Sequence, residues 1–242
     1  MTVKEHYDNH LASFYSWMAG DFDQQSIAFG EFLEDQNITP VSTKVAVDLG
    51  AGHGIQSIAL KTAGFDVTAV DFNDQLLKEL KSHPDGKAIR TIEADIRHTW
   101  EFEALQPELI VCCGDTITHL ESKSEVEKLI KDCADMLVPL GKLILSFRDY
   151  TVELDDLQRF IPVKSDERRI FTCILEYTSE KVKVTDQLYE KTGSGWKQKV
   201  STYSKVRITP REVETIVMNS GMELSFSRPV NRMHTLIAQK RD

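Results

Sequence analysis

Apolar residues along this chain follow two rhythms, and the change between them divides the sequence. Over the first forty positions Tyr7, Leu11, Phe14, Tyr15 and Met18 recur at the three-to-four-residue spacing of a helix face. Ile27, Phe32 and Leu33 repeat that spacing after Gly20-Asp21-Phe22-Asp23. The pattern predicts two helices, closed by Pro40. From Lys44 the apolar residues gather into short near-continuous runs, KVAVDL, DVTAV, AIRTIEA, ELIVCC and GKLILSF, with amphipathic segments such as QLLKEL and EVEKLIKDCADML between them. Strands apolar on both faces, alternating with helices, predict a parallel sheet covered on both sides. Right-handed crossovers make it doubly wound.

Start and stop signals support this register. Ser122 and Glu125 predict a capping box before EVEKLIKDCADML, which Pro139 and Gly141 terminate. Thr209, Pro210 and Glu212 open a last helix that ends at Gly221. Between Arg148 and Arg207 the rhythm shortens to period two, in RRIFTCILEYTS, KVKVTDQLYEK and WKQKVSTYSKV, with TGSG as a hairpin turn. This predicts an antiparallel insertion, laid over the sheet edge or serving as a lid. MELSFSRPV and HTLIAQK are the last two strands. The expected organisation is an N-terminal helical cap over 1–40, a core over 41–147, an insertion and substrate lid over 148–207, and a C-terminal helix with the last two strands over 208–242. The fold class is α/β, a doubly wound, seven-stranded, mostly parallel sheet with an antiparallel β insertion after the fifth strand.

The junction of the first strand and helix carries the most specific chemistry. Asp48 ends the strand, and Gly50, Gly52 and Gly54 follow at alternate positions. Glycines there permit positive φ and let a ligand touch the main chain, while the next helix aims its amides at the same point. A tight turn without a ligand is the plainer alternative. A nicotinamide dinucleotide calls for Gly-x-Gly-x-x-Gly, whose third glycine falls on Ile55. Asp48 also opposes a pyrophosphate, because like charges repel strongly in a poorly screened pocket. It favours a cationic nucleoside such as S-adenosylmethionine. Asp71, about twenty residues beyond the loop, can accept hydrogen bonds from both ribose hydroxyls, or it can cap the helix after it, a task Asn73 could also fill.

VDLGAGHG, VTAVDFN, IEADIRH and ELIVCCGDTITHL, in that order, resemble the class I S-adenosylmethionine-dependent methyltransferases. The resemblance covers roughly Lys44 to Phe147, and the rest by element order alone. It implies the family's Rossmann-like fold, S-adenosylmethionine as cofactor, and a methyltransferase activity. It assigns the loop of Asp48, Gly50, Ala51, Gly52 and Gly54 to the methionine moiety, Asp71 to ribose, and Asp95 with Ile96 to adenine. Asp95 has a solvated loop carboxylate as its alternative. Phe72 and Cys113 join the cofactor positions, and Tyr15 resembles a tyrosine of the family's N-terminal lid. Two further stretches are similar to the glycine and sarcosine N-methyltransferases, which carry Leu-Gly-Asn-Ser-x-x-His-Leu and Arg-Asn-Tyr-Asp. This chain reads Cys113-Gly114-Asp115-Thr116-Ile117-Thr118-His119-Leu120 and Arg148-Asp149-Tyr150-Thr151, with aspartate at both asparagine positions. The resemblance implies that Arg148 holds a substrate carboxylate, a task suited to a bidentate guanidinium; pairing with Asp115 or Asp149 is its alternative. Asp115 either holds a substrate ammonium or satisfies backbone amides. His119 is either a base or a packing residue, and Tyr150 completes the catalytic candidates. The implied acceptor is a small amine or amino-acid-like nitrogen.

Composition narrows the classes. The chain has 242 residues, 41% of them apolar, and a formal net charge of −9, which leaves no broad footprint for nucleic acid. Cys112, Cys113, Cys133 and Cys173 show no Cys-x-x-Cys spacing, so no metal site is expected and a reducing cytoplasmic setting fits. No apolar run approaches the ~20 residues of a membrane span. The expected partner is a small-molecule methyl acceptor, with monomer and homodimer both open. An O-directed or macromolecule-directed methyltransferase and a non-catalytic S-adenosylmethionine-binding partner protein stand as alternatives, although no Asn-Pro-Pro-aromatic segment follows the fourth strand.

Overall fold

In the computed structural model, which describes the backbone of residues 1–242 and every side chain except that of Trp100, the buried strand β1 (Val45–Leu49) lies at the middle of the five parallel strands of the principal sheet. It pairs in parallel with β2 (Asp66–Asp71) on one side and β4 (Leu109–Cys112) on the other. β3 (Arg90–Glu93) and β5 (Lys142–Phe147) extend the parallel set. β11 (Met233–Lys240) then runs antiparallel to β5 and carries β10 (Met222–Val230) at the edge. The resulting order is β10-β11-β5-β4-β1-β2-β3.

Side chains alternate across this sheet, so each strand feeds two cores. Val47, Leu49, Ile110 and Cys112 pack beneath α6 (Lys123–Met136) and α7 (Pro210–Asn219). Ala46, Ala69, Val111 and Ile144 pack against α3 (Phe22–Asp35), α4 (Ile55–Thr62) and α5 (Asp74–Ser82). All parallel strands therefore open their carboxyl ends at one rim, where α/β sheets bind ligands.

The insertion is a second, wholly antiparallel sheet of four strands: β6 (Phe160–Ser165), β7 (Arg169–Tyr177), β8 (Lys181–Thr192) and β9 (Gly195–Val206). The Gly193-Ser194 turn joins β8 to β9, as the glycine signal predicts. β6 has no counterpart in the sequence reading, because Pro162 interrupts its pattern; the strand lies at the sheet edge, where a missing N–H costs no ladder bond. Phe171 and Leu188 of this sheet pack on Leu11 and Phe14.

The N-terminal cap differs in detail from two regular helices. α1 (Val3–His6) passes through a π turn (Tyr7–Leu11) and a 3-10 turn (Ala12–Phe14) into α2 (Tyr15–Ala19), and α3 follows. Ile27, expected on a buried face, is 62% exposed. Thr209 and Glu212 form a complete capping box on α7. At α6 only half of one forms: Ser122 accepts from the Glu125 amide, while the Glu125 carboxylate turns to the Glu121 amide and Arg97. Among the described residues no helix is long and apolar enough to cross a membrane.

Candidate active site

The loop after β1 is pinned from behind and bare in front. Gly50 and Ala51 donate to the Val70 carbonyl at 2.8 and 3.1 Å. Gly52 donates to Asp71 Oδ2 at 2.8 Å, and Asn73 donates to Asp71 Oδ1 at 2.8 Å. Asn73 also caps α5 through the Leu76 amide, so Asp71 is free of that task. Burial lifts the Asp71 carboxyl to about 6, against the pull of those two amides. Gly52 needs its positive φ of 55°, and a Cβ there would stand 3.7 Å from the Tyr15 ring.

Two loop positions are corrected. Asp48 does not face the ligand space: strand alternation sends it beneath the first turn of α4, where it is 1% exposed and accepts from Ser57 Oγ at 2.5 Å. Burial raises its carboxyl to about 7. It is a buried strut and supplies no open negative charge. Gly54 likewise lies outside the cleft lining; a Cβ there would collide with the Leu80 side chain, so this glycine is required for packing α4 against α5.

Tyr15, Gly50, Ala51, Gly52, Asp71, Phe72, Asp95, Ile96 and Cys113 all meet at one cleft of about 1090 Å³, counted to its open mouth. Tyr7 joins them, as do Thr2, Val3, Lys4 and His53, which the sequence reading did not single out. Asp95 is not a loose loop carboxylate, since Arg97 grips it through Nε at 3.0 Å and Nη2 at 2.7 Å. Burial raises that carboxyl, and the Arg97 bonds outweigh it and hold it below the usual range. Cys113 is no nucleophile, because burial pushes its thiol up to about 12.

The acceptor-side candidates part company. Asp115 takes positive φ of 78° and is 1% exposed. It accepts from the Arg148 amide at 3.0 Å, Thr118 Oγ1 at 2.9 Å and the Tyr150 hydroxyl at 2.6 Å, and it is ion-paired with the Lys205 ammonium. Its ammonium partner thus belongs to the protein, which corrects the substrate-ammonium role. Burial raises its carboxyl, but Lys205 and Arg148 more than reverse this and keep it ionised. Tyr150 is corrected too: its hydroxyl is held by Asp115 and by Lys205 at 3.2 Å, away from the cleft. Arg148 Nη1 lies 3.5 Å from Asp115, yet half its side chain is exposed. Asp149 accepts from Thr151, so it is not the partner of Arg148.

His119 lines the cleft and does not cap α6. Its ring lies parallel to Tyr203 at 5.5 Å and meets the edge of Tyr7 at 5.8 Å, and its Nδ1 is buried without a hydrogen-bond partner. Burial, aided by the Lys205 charge, drops its pKa well below the usual value, so the ring is neutral at pH 7. Lys205 escaped the sequence reading, although the alternation Ser201, Tyr203, Lys205 places it on the buried face of β9.

A second cleft adjoins the first, sharing Ile55, Gln56, Cys113 and Gly114. Phe29, Phe32, Ser146, Arg148 and Met233 line it. Among the described residues no three His, Cys, Asp or Glu side chains stand together as a metal site.

Residues 46–141, the stretch that builds the loop, Asp71, Asp95 and Asp115, match the model of the family described as "Methyltransferase domain". That stretch, less than half of the chain, is similar to a methyltransferase domain. The chain is 30% identical over 134 residues to a glycine/sarcosine N-methyltransferase of Aphanothece halophytica, covering 54% of this chain and 50% of the relative. It is 28% identical over 137 residues to the enzyme of the same name from Halorhodospira halochloris, covering 56% and 51%. The chain thus spans about half the length of the curated relatives it matches. CalS10 of Micromonospora echinaspora, an amino pentose methyltransferase solved with its S-adenosylmethionine, shares the fold with a TM-score of 0.77 at 13% identity, covering 96% and 97% of the two chains.

The cleft fits S-adenosylmethionine on its own geometry. Its floor is bare backbone, a carboxylate stands where ribose hydroxyls would donate, and aromatic rings wall the rest. Asp71, Asp95 and Glu121, and not Asp48, are the carboxylates that line it.

Proposed function

We propose that the protein transfers the methyl group of S-adenosylmethionine to a nitrogen of a small amino-acid-like amine. One observation carries this reading: the cleft holding Asp71 and the cleft holding Arg148 meet at the carboxyl end of β4, at Cys113 and Gly114. A donor in the first and an acceptor in the second would face each other there. The names of the glycine/sarcosine relatives support nitrogen as the atom methylated.

The cofactor supplies a methyl group already activated on a sulfonium. The chain's own residues then have to orient and to exclude water. Asp71 holds the ribose, the Gly50–Gly52 backbone meets the methionine moiety, and Asp95 with Ile96 faces the adenine. Tyr7, Tyr15 and Phe72 close the cleft against solvent. Holding the two reactants in line can supply about 7–11 kcal/mol of barrier lowering, which leaves little acid-base work.

Incubation with methyl-labelled S-adenosylmethionine and a panel of glycine, sarcosine, other primary amines, carboxylates and phenols tests this. The expected label appears on nitrogen. Label on oxygen alone, or no transfer to any member, overturns the reading.

A further inference from the structure

Among the described residues four buried side-chain polar atoms lack a hydrogen-bond partner, and every one is a histidine nitrogen: His6 Nε2, His10 Nε2, His53 Nε2 and His119 Nδ1. Such orphans are rare in folded chains and call for a physical reason. These four share one place. All lie in or against the segment 2–19, which walls the first cleft through Thr2, Val3, Lys4, Tyr7 and Tyr15. His6 and His10 belong to the segment itself. His53, in the glycine loop, meets the Tyr15 ring edge-on at 5.1 Å, and His119, after β4, meets Tyr7 edge-on at 5.8 Å.

The charges around each ring decide what an added proton would meet. His6 Nε2 makes no aligned hydrogen bond but lies 3.1 Å from Asp186 Oδ2, so a carboxylate would offset its charge. His10 stands 5.5 Å from the His6 ring, in the field of Asp186, Glu190 and Lys199. His53 has Tyr15 and Phe22 edge-on, and Glu79 as the charge acting on it. His119 lies between Tyr7 and Tyr203; Asp115 favours its charged form, while Lys205, His6 and Arg148 oppose it. Burial holds His10, His53 and His119 below the usual histidine range, aided by His6 at His10 and by Lys205 at His119. The segment over them is weak in itself. Its α-helical pieces are four and five residues long, with a π turn and a 3-10 turn between them, and helices so short do not stand without tertiary contacts.

We infer that the segment 2–19 is a pH-sensitive wall of the first cleft, seated while His10, His53 and His119 are neutral and released when they take up protons. This goes beyond the methyl transfer proposed above and does not depend on it. Seated, the three rings resist charging; released, each is an ordinary histidine that charges near pH ~6.5. The seated form is therefore favoured above that pH and loses ground as pH falls. Each ring that charges only on release raises the released-to-seated ratio at pH 5 by as much as about thirtyfold. Asp48 and Asp71 act with the opposite sign, because burial raises their carboxyls, and Asp115, held low, titrates below about pH 4.

The test is amide hydrogen exchange of the full chain without ligand at pH 7.5 and pH 5.0, each rate divided by that of an unstructured peptide at the same pH. Protection over residues 3–15 is expected to fall at least tenfold more than protection over α7. His10→Phe/His53→Phe keeps two rings in place without a titrating nitrogen and should shrink that difference at least threefold. A wild-type difference under tenfold, or one that the double variant leaves within threefold of the wild type, overturns the inference. Should the double variant fail to fold, the single variants decide: His10→Phe or His53→Phe should shrink the difference at least threefold, and no such change in either refutes it.

Discussion

At the carboxyl end of β2, Asp71 has each oxygen tied to one backbone amide, Gly52 on one side and Asn73 on the other. Those bonds fix the carboxylate's direction before any ligand arrives, so little ordering entropy is lost on binding. Asp71→Ala should weaken S-adenosylmethionine binding at least tenfold, about 1.4 kcal/mol, by calorimetry; unchanged affinity would remove it from the site. Asp48 makes the opposite case. Burial raises its carboxyl to about 7, well above the ~3.9 of an unfolded chain. The folded state then binds the proton more tightly, so this residue's contribution to stability is present below about pH 4 and lost as pH rises through about 7. Asp48→Asn should shrink the stability difference between pH 5 and pH 8, measured by urea unfolding, by on the order of 2–3 kcal/mol. A sequence shows that a carboxylate ends each strand, but which way it points depends on alternation within a strand whose ends are set by tertiary pairing. That is why the sequence places Asp71 at the cleft, where the structure has it, and does not show that Asp48 turns beneath α4.

At the scale of elements, two glycines of one loop serve different partners. Gly52→Ala puts a methyl group against Tyr15 and holds a side chain at a φ of 55°, so calorimetry should show cofactor affinity falling about tenfold while Tm falls less than for Gly54→Ala. Gly54→Ala drives its methyl group into Leu80, so Tm should fall by several degrees, on the order of 2 kcal/mol for an overpacked core. The reverse pattern would reassign the loop. On α7, Thr209→Ala removes one half of a complete capping box and should cost about 1 kcal/mol in thermal unfolding. The five parallel strands and their helices were readable because apolar runs and caps agreed at every junction. β6 was not, because a proline hides an edge strand, and Lys205 was not, because a lysine on the buried face of a strand makes sense only once Asp115 stands opposite.

Across the whole molecule the N-terminal segment joins the two sheets. Its residues Thr2, Val3, Lys4 and Tyr7 wall the donor cleft. The same segment is fastened to the second sheet: His6 Nε2 lies 3.1 Å from Asp186 Oδ2, and His6 Nδ1 is 2.7 Å from Ser201 Oγ. Lys4 donates to the Phe72 carbonyl at 3.3 Å, which ties it to the first sheet as well. A strap so placed lies against any ligand of that cleft. Adding S-adenosylhomocysteine should slow amide hydrogen exchange over residues 3–15 at least tenfold and leave α7 unchanged; equal protection in both would mean that the segment does not respond to the ligand.

The shared boundary at Cys113 and Gly114 also bears on kinetics. Under the function proposed above each reactant has its own chamber, and among the described residues nothing stands within 4 Å of where a side chain on Gly114 would begin. Neither chamber has to be emptied through the other. Spent nucleoside and methylated product can leave in either sequence, so initial-rate plots should intersect as they do for a random bi-substrate scheme, with each product inhibiting competitively only against its own precursor.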